Sequence, residues 1–74
     1  MLLLRIDARA WGGRLLDELE HWAGLEGARQ MVLHVYVDNE GARRFYARRG
    51  YCEIRRVAGF YRRGMDAMEC RKGL

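Results

Sequence analysis

Residues 31–37, MVLHVYV, form a nearly continuous apolar and β-branched run. A run of that kind suits a strand covered on both faces, because a strand with one wet face would alternate apolar and polar positions. A second, shorter apolar run from Leu2 to Ile6 precedes it. Between the two lies a turn region, Asp7 to Gly13, in which Gly12 and Gly13 are adjacent. Leu15, Leu16, Leu19, Trp22 and Ala23 then recur at helical spacing, with Asp17, Glu18, Glu20 and His21 largely on the other face. Gly24 and Gly27 are expected to stop that helix. Strand, helix and strand make a βαβ unit, whose right-handed crossover puts the start of the helix at the carboxyl end of the first strand.

Downstream, Asp38 or Asn39 is placed to cap a short helix whose apolar positions Ala42, Phe45 and Tyr46 recur at i, i+3 and i+4, and Gly50 closes it. Tyr51 to Val57 and Asp66 to Lys72 read as two strands joined by a longer turn that carries Gly59, Phe60, Tyr61 and Gly64. A hairpin centred near Tyr61 would set Cys52 and Cys70 almost opposite each other, within the range a disulfide tolerates. Two cysteines in no C-x-x-C or zinc spacing are nevertheless expected to be free thiols, with no metal site. The expected architecture is one α/β domain over residues 1–74, in the order βαβαββ, with a mixed sheet and two helices.

A chain of 74 residues has a thin core, since a domain near this size buries only about 60% of the surface its unfolded form exposes. Half of the residues are apolar and 32% are charged, which excludes a disordered tail and fits a soluble globular protein. The opening MLLLRID is interrupted by Arg5 and Asp7, so it is too short for a signal segment or a membrane span, and a cytoplasmic location is expected. The net charge of +4 is unevenly spread: residues 1–37 carry four Arg against five acids, and residues 38–74 carry nine Arg and one Lys against five acids. A positive second half favours anionic partners, whether the phosphates of a cofactor, nucleic acid or acidic lipid.

The order and spacing of DARAWGGRLLDELEHWA and VDNEGARRFYARRGY together resemble the C-terminal half of the GNAT superfamily of N-acetyltransferases. The likeness runs nearly end to end, and the second segment is the more specific. It is most similar to the branch that acetylates protein N-termini and small amines. The resemblance implies that acetyl-CoA is the co-substrate and a primary amine the acceptor. It implies further that Tyr46 is the general acid, that Ala10, Gly12 and Gly13 with Arg9 and Arg14 cradle the pyrophosphate, and that Asn39 helps hold the pantetheine arm. The underlying chemistry is general. Helix-start N–H groups carry the positive end of the macrodipole, small residues let a phosphate approach, and a phenol with a pKa of about 10 keeps its proton at neutral pH. His34, Tyr36 and Tyr61 are expected to be packed and hydrogen-bonded residues of the sheet.

Asp7 stands where that family usually has Gln or Arg, and Ala10 where it usually has its first Gly. In such a fold the chain begins inside the fourth strand, so a free sheet edge and one flank of the first helix would be exposed. A homodimer or a completing partner chain is therefore expected. Three functions follow in order: an acetyltransferase domain completed by a second chain, a non-catalytic interaction module that keeps the fold, and a nucleic-acid binder using the Arg pairs at 43/44, 48/49, 55/56 and 62/63. The third lacks the interleaved aromatics of RNA-binding modules.

Overall fold

The computed structural model describes residues 2–7 and 13–74, with side chains from Gly13 onward. The elements follow the expected order: β1 (Leu2–Asp7), α1 (Gly13–Leu25), β2 (Ala28–Tyr36), α2 (Glu40–Arg48), β3 (Cys52–Arg62) and β4 (Met65–Gly73). They build a four-stranded mixed sheet in the order β1-β2-β4-β3. β1 and β2 are parallel, with Leu4 opposite Met31 and Asp7 opposite His34. β2, β4 and β3 are antiparallel, so the C-terminal hairpin inserts β4 beside β2 and leaves β3 at the far edge.

Both helices close one face of this sheet. Leu16 and Ala23 of α1 and Tyr46 of α2 are buried in one cluster with Met31, Leu33, Val35, Tyr51 and Cys70. Side chains alternate along a strand, so the intervening Val32 and His34 of β2 belong to the opposite face. They are buried as well, which is why the run looks continuously apolar in sequence. Each large side chain withdrawn from water in this way contributes roughly 1.5–3 kcal/mol before entropy is counted.

Three expectations are corrected. Gly24 lies inside α1, which continues to Leu25 and ends at Gly27 with φ +92, a left-handed conformation that glycine adopts without a β-carbon penalty. The apolar stripe of α1 is only partly covered: Leu16 is fully buried while Leu15 and Trp22 are about half exposed, at 51% and 52%. The hairpin is not centred near Tyr61. β3 runs on to Arg62, which pairs with Met65 around a two-residue turn in which Gly64 has φ +82. That register sets Cys70 opposite Glu53 and Cys52 opposite Arg71. A one-residue offset reverses the face of a strand residue, so the thiols lie on opposite sides of the sheet and both are free, Cys52 exposed and Cys70 buried. Burial pushes the Cys70 thiol up to about 11.

The longer β3 is not straight. Its register slips between Val57 and Arg62, where Gly59 takes φ +65 and donates its N–H to Asp66 Oδ1 at 2.8 Å. The extra residues turn Phe60 and Tyr61 back over β2. Phe60 stacks on the His34 ring at 4.2 Å and 12°, and Tyr61 donates its hydroxyl to the His34 carbonyl at 3.1 Å.

Candidate functional site

Asn39 starts α2 because its side-chain Oδ1 accepts the Ala42 N–H at 3.1 Å, satisfying one of the free donors at a helix start. Seven residues on, Tyr46 faces the core with 2% exposure, edge-on to Phe45 and Tyr51 at 5.1 and 5.9 Å. Its companions in the buried cluster include Leu33 and Val35, the two neighbours of His34 in β2. The phenol and the imidazole therefore stand on either side of one strand. Tyr51 is a structural counterpart: its hydroxyl donates to Glu20 at 2.6 Å, and burial with that carboxylate drives its ionisation far above the ordinary range. Glu20, expected on the wet face of α1, instead sits at the flank, where Lys72 also reaches it at 2.9 Å.

α2 is tied to the sheet by Arg43, which donates twice to Glu53, at 2.7 and 3.0 Å, and once to the Val37 carbonyl at 3.0 Å. The guanidinium holds the Glu53 carboxyl below its ordinary value. A shallow surface depression beside this pair is lined by Glu40, Arg43, Arg44, Ala47 and Glu53.

At the start of α1 the two described candidates for phosphate contact part company. Arg14 points to solvent, its side chain 94% exposed and paired with Glu18 one turn on at 3.5 Å. Gly13 lies beneath Arg49, whose guanidinium a β-carbon at that position would strike. Arg49 comes from the C-cap of α2, bonds Asp17 through Nη1 at 2.5 Å and covers the Phe45 ring at 5.4 Å. Among the described residues, the cation brought to this helix start is thus Arg49, which nothing in the linear spacing of residues 7–14 indicates. Arg9, Ala10 and Gly12 lie outside the described residues, as does Trp11.

On the face away from the helices, His34 Nε2 meets Glu69 Oε1 at 3.2 Å. Glu69 is 1% exposed in the middle of β4, with Arg55 donating to both of its oxygens and Arg71 to one, all at 3.4 Å. Arg55 above all holds that carboxyl below its ordinary value. The sequence contained a signal for this cluster in the lone acid of AMEC, between Met68 and Cys70 in an otherwise apolar stretch of strand. Asp7, the last residue of β1, pairs with His34, and β2 carries on through Val35 and Tyr36. The imidazole therefore sits at the carboxyl end of the parallel pair, the end at which open α/β sheets take ligands.

Comparison with known proteins agrees with this layout. Residues 8–51 match the model of the acetyltransferase (GNAT) family. A 41-residue stretch is 46% identical to N-alpha-acetyltransferase 30 of Schizosaccharomyces pombe, covering 55% of this chain and 27% of that protein. In three dimensions the chain is similar to Chaetomium thermophilum Naa20 in complex with a bisubstrate analogue, with a TM-score of 0.80, 29% identity and coverage of 95% of this chain and 46% of that one. It is also similar to a chain of the NatB acetyltransferase complex bound to CoA and MES, with a TM-score of 0.70, 33% identity and coverage of 82% and 41%. The chain thus spans about a quarter of the curated relative and under half of each of these two solved chains. With more than half of its residues inside the family match, the chain belongs to the GNAT acetyltransferase family.

Proposed function

We propose that residues 1–74 form one domain that binds acetyl-CoA and transfers its acetyl group to a primary amine, as part of an N-terminal acetyltransferase completed by a second chain. The observation that carries this reading is the pair of proton-bearing side chains on either side of β2, Tyr46 in the helix-face core and His34 on the opposite face where β1 ends. The names of the relatives support it, since one is an N-alpha-acetyltransferase and another is an acetyltransferase complex bound to CoA.

The residues at the start of α1 fit a diphosphate: the Arg49 guanidinium lies over a glycine at the positive end of a helix. Gly13 and Arg49, with Arg9, Ala10, Gly12 and Arg14, would hold the phosphates, and Asn39 would orient the pantetheine arm. Acetyl-CoA supplies an acetyl thioester already activated for attack by an amine. His34 accepts the proton that the attacking ammonium must lose, and Tyr46 donates its phenolic proton to the departing sulfur.

A second chain is supported by the half-exposed Leu15 and Trp22 and the 74% exposed Leu25 on α1, together with β1 at the sheet edge. A homodimer is one form of that completion. A cytoplasmic setting fits the two free thiols, and among the described residues no helix is long and apolar enough to cross a membrane. One observation favours the non-catalytic module instead: Arg49 is already paired with Asp17, so a diphosphate would have to displace that ion pair. The nucleic-acid reading loses ground for a similar reason, because Arg43, Arg44, Arg49, Arg55 and Arg56 each pair with a carboxylate of the same chain.

Calorimetric titration of acetyl-CoA into the purified chain tests the proposal. Saturable binding in the micromolar range, competed by CoA, is expected. Absence of heat and of competition would leave the interaction module as the function.

A further inference from the structure

A carboxylate with 1% exposure in the middle of a sheet is costly unless it is paired on every side, because both its hydration and its charge are at stake. Among the described residues Glu69 meets this demand with partners drawn from three strands: His34 from β2, Arg55 from β3 and Arg71 from its own β4. Arg71 also reaches back to Gln30 of β2 at 3.4 Å, so the guanidinium is itself fixed. The two arginines keep the carboxyl ionised at neutral pH. An ionised carboxylate has no proton to offer and can only accept.

This asymmetry determines which ring nitrogen of the histidine must carry a hydrogen. Nε2 lies 3.2 Å from Glu69 Oε1, and a bond there requires the hydrogen to sit on Nε2. Neutral imidazole has a single N–H, so Nδ1 is left with the lone pair. The ring is held against rotation by the Phe60 stack at 4.2 Å, and its backbone by the Tyr61 hydroxyl on the His34 carbonyl. Among the described residues, the charged groups around the ring are Glu69 on β4 and, through it, Arg55 on β3 and Arg71 on β4. On the β1 side its register partner is Asp7, whose side chain lies outside the described residues.

We propose that Glu69, clamped by Arg55 and Arg71, is the positioning residue that fixes His34 as the Nε2–H tautomer and so makes Nδ1 the proton-accepting atom of the acetyl-transfer reaction; the catalytic half of this statement rests on the function proposed above. When Nδ1 takes a proton from the acceptor ammonium, the electron pair of the broken N–H bond stays on the amine. The resulting imidazolium keeps its Nε2–H bond to a carboxylate, which strengthens as the ring becomes charged. The same logic operates wherever a buried carboxylate orients a catalytic imidazole without itself taking the proton.

The substitution that isolates this effect is Glu69→Gln, which keeps the shape and changes the polarity of one corner. Arg55 and Arg71 can donate only to the amide oxygen, which turns the amide NH2 toward His34 Nε2. Nε2 must then accept, and the hydrogen moves to Nδ1. The measurement is 15N NMR of the imidazole nitrogens in the labelled chain near neutral pH, with His21→Gln removing the other, exposed histidine from the spectrum. The wild-type chain should show His34 protonated on Nε2, and Glu69→Gln should reverse the tautomer. A predominant Nδ1–H form or a doubly protonated ring in the wild type overturns the proposal without any variant at the acid, and an unchanged tautomer in a folded Glu69→Gln chain overturns it as well. In the completed enzyme, Glu69→Gln should lower kcat by about 10²- to 10⁴-fold, the range from loss of general-base help to a base left in the wrong tautomer, while KM for acetyl-CoA stays put. Loss of acetyl-CoA binding with the tautomer intact would count against the transferase function and leave the positioning role standing. The reverse pattern would remove only the positioning role.

Discussion

The two faces of the sheet are equally dry around β2 and chemically opposite. Toward the helices, Met31, Leu33, Val35 and Cys70 close against Leu16, Ala23 and Tyr46, and burial is rewarded by apolar contact. One register step away, His34 and Glu69 are buried among Arg55, Arg71, Phe60 and Tyr61, and burial is tolerated because the imidazole and both carboxylate oxygens are bonded, although Arg71 Nε finds no partner among the described residues. The first face holds the fold together. A fold does not require the second, since replacing a buried ionic cluster by apolar residues is often neutral or stabilising, so its presence points to a task for the side chains in it.

Four measurements can break or sharpen this contrast. Leu33→Ala on the helix face should cost roughly 2–5 kcal/mol in denaturant unfolding, because a fully buried leucine leaves a cavity in a thin core. A loss below about 1 kcal/mol would mean that the helix face is not the stabilising one. Tyr46→Phe in the completed enzyme keeps the ring and removes the hydroxyl. Turnover should fall by about 10²-fold with acetyl-CoA affinity nearly intact, and unchanged turnover would remove Tyr46 from the reaction.

Acid separates the faces next. Arg55 lowers the Glu69 carboxyl from its ordinary 4.5. A group whose folded value is depressed contributes stability that is present above its unfolded value and is lost as pH falls through the folded one. Unfolding monitored against pH should therefore show stability declining below about pH 4.5, and Arg55→Ala should weaken that dependence. The same slope with and without Arg55 would place the acid sensitivity elsewhere. The smallest effect belongs to Arg14. Exposed and paired only with Glu18, it should contribute less than about 0.5 kcal/mol to stability, while Arg14→Ala should weaken acetyl-CoA binding in the calorimeter if the side chain swings to the phosphates. No change in either quantity would leave Arg49 as the principal cation of that site among the described residues.

Much of this architecture was legible because it depends on local pattern. The apolar run at 31–37 announced a strand dry on both sides, and the spacing of Ala42, Phe45 and Tyr46 after Asn39 announced a capped helix. The hairpin was misread because Gly59 looks like a turn glycine in sequence, whereas it serves a register slip within a longer strand, and Gly64 makes the turn. That single shift reversed the faces of Cys52 and Cys70 relative to each other. Asn39 as the cap of α2 and Tyr46 on its apolar face were readable from local spacing, while Arg49 over Gly13 was not, and Glu69 beside His34 left only the lone acid of AMEC as a signal.

The sequence by itself determined the element order, the family and the helix that carries Tyr46, since these follow from periodicity, caps and turn residues within a few positions of one another. The tertiary structure alone decided which cation lies over α1 and which acid holds the histidine. Arg49 and Asp17 are 32 positions apart, and His34 and Glu69 are 35 apart. Contacts of that kind come from strand order and register, which no short window of residues encodes.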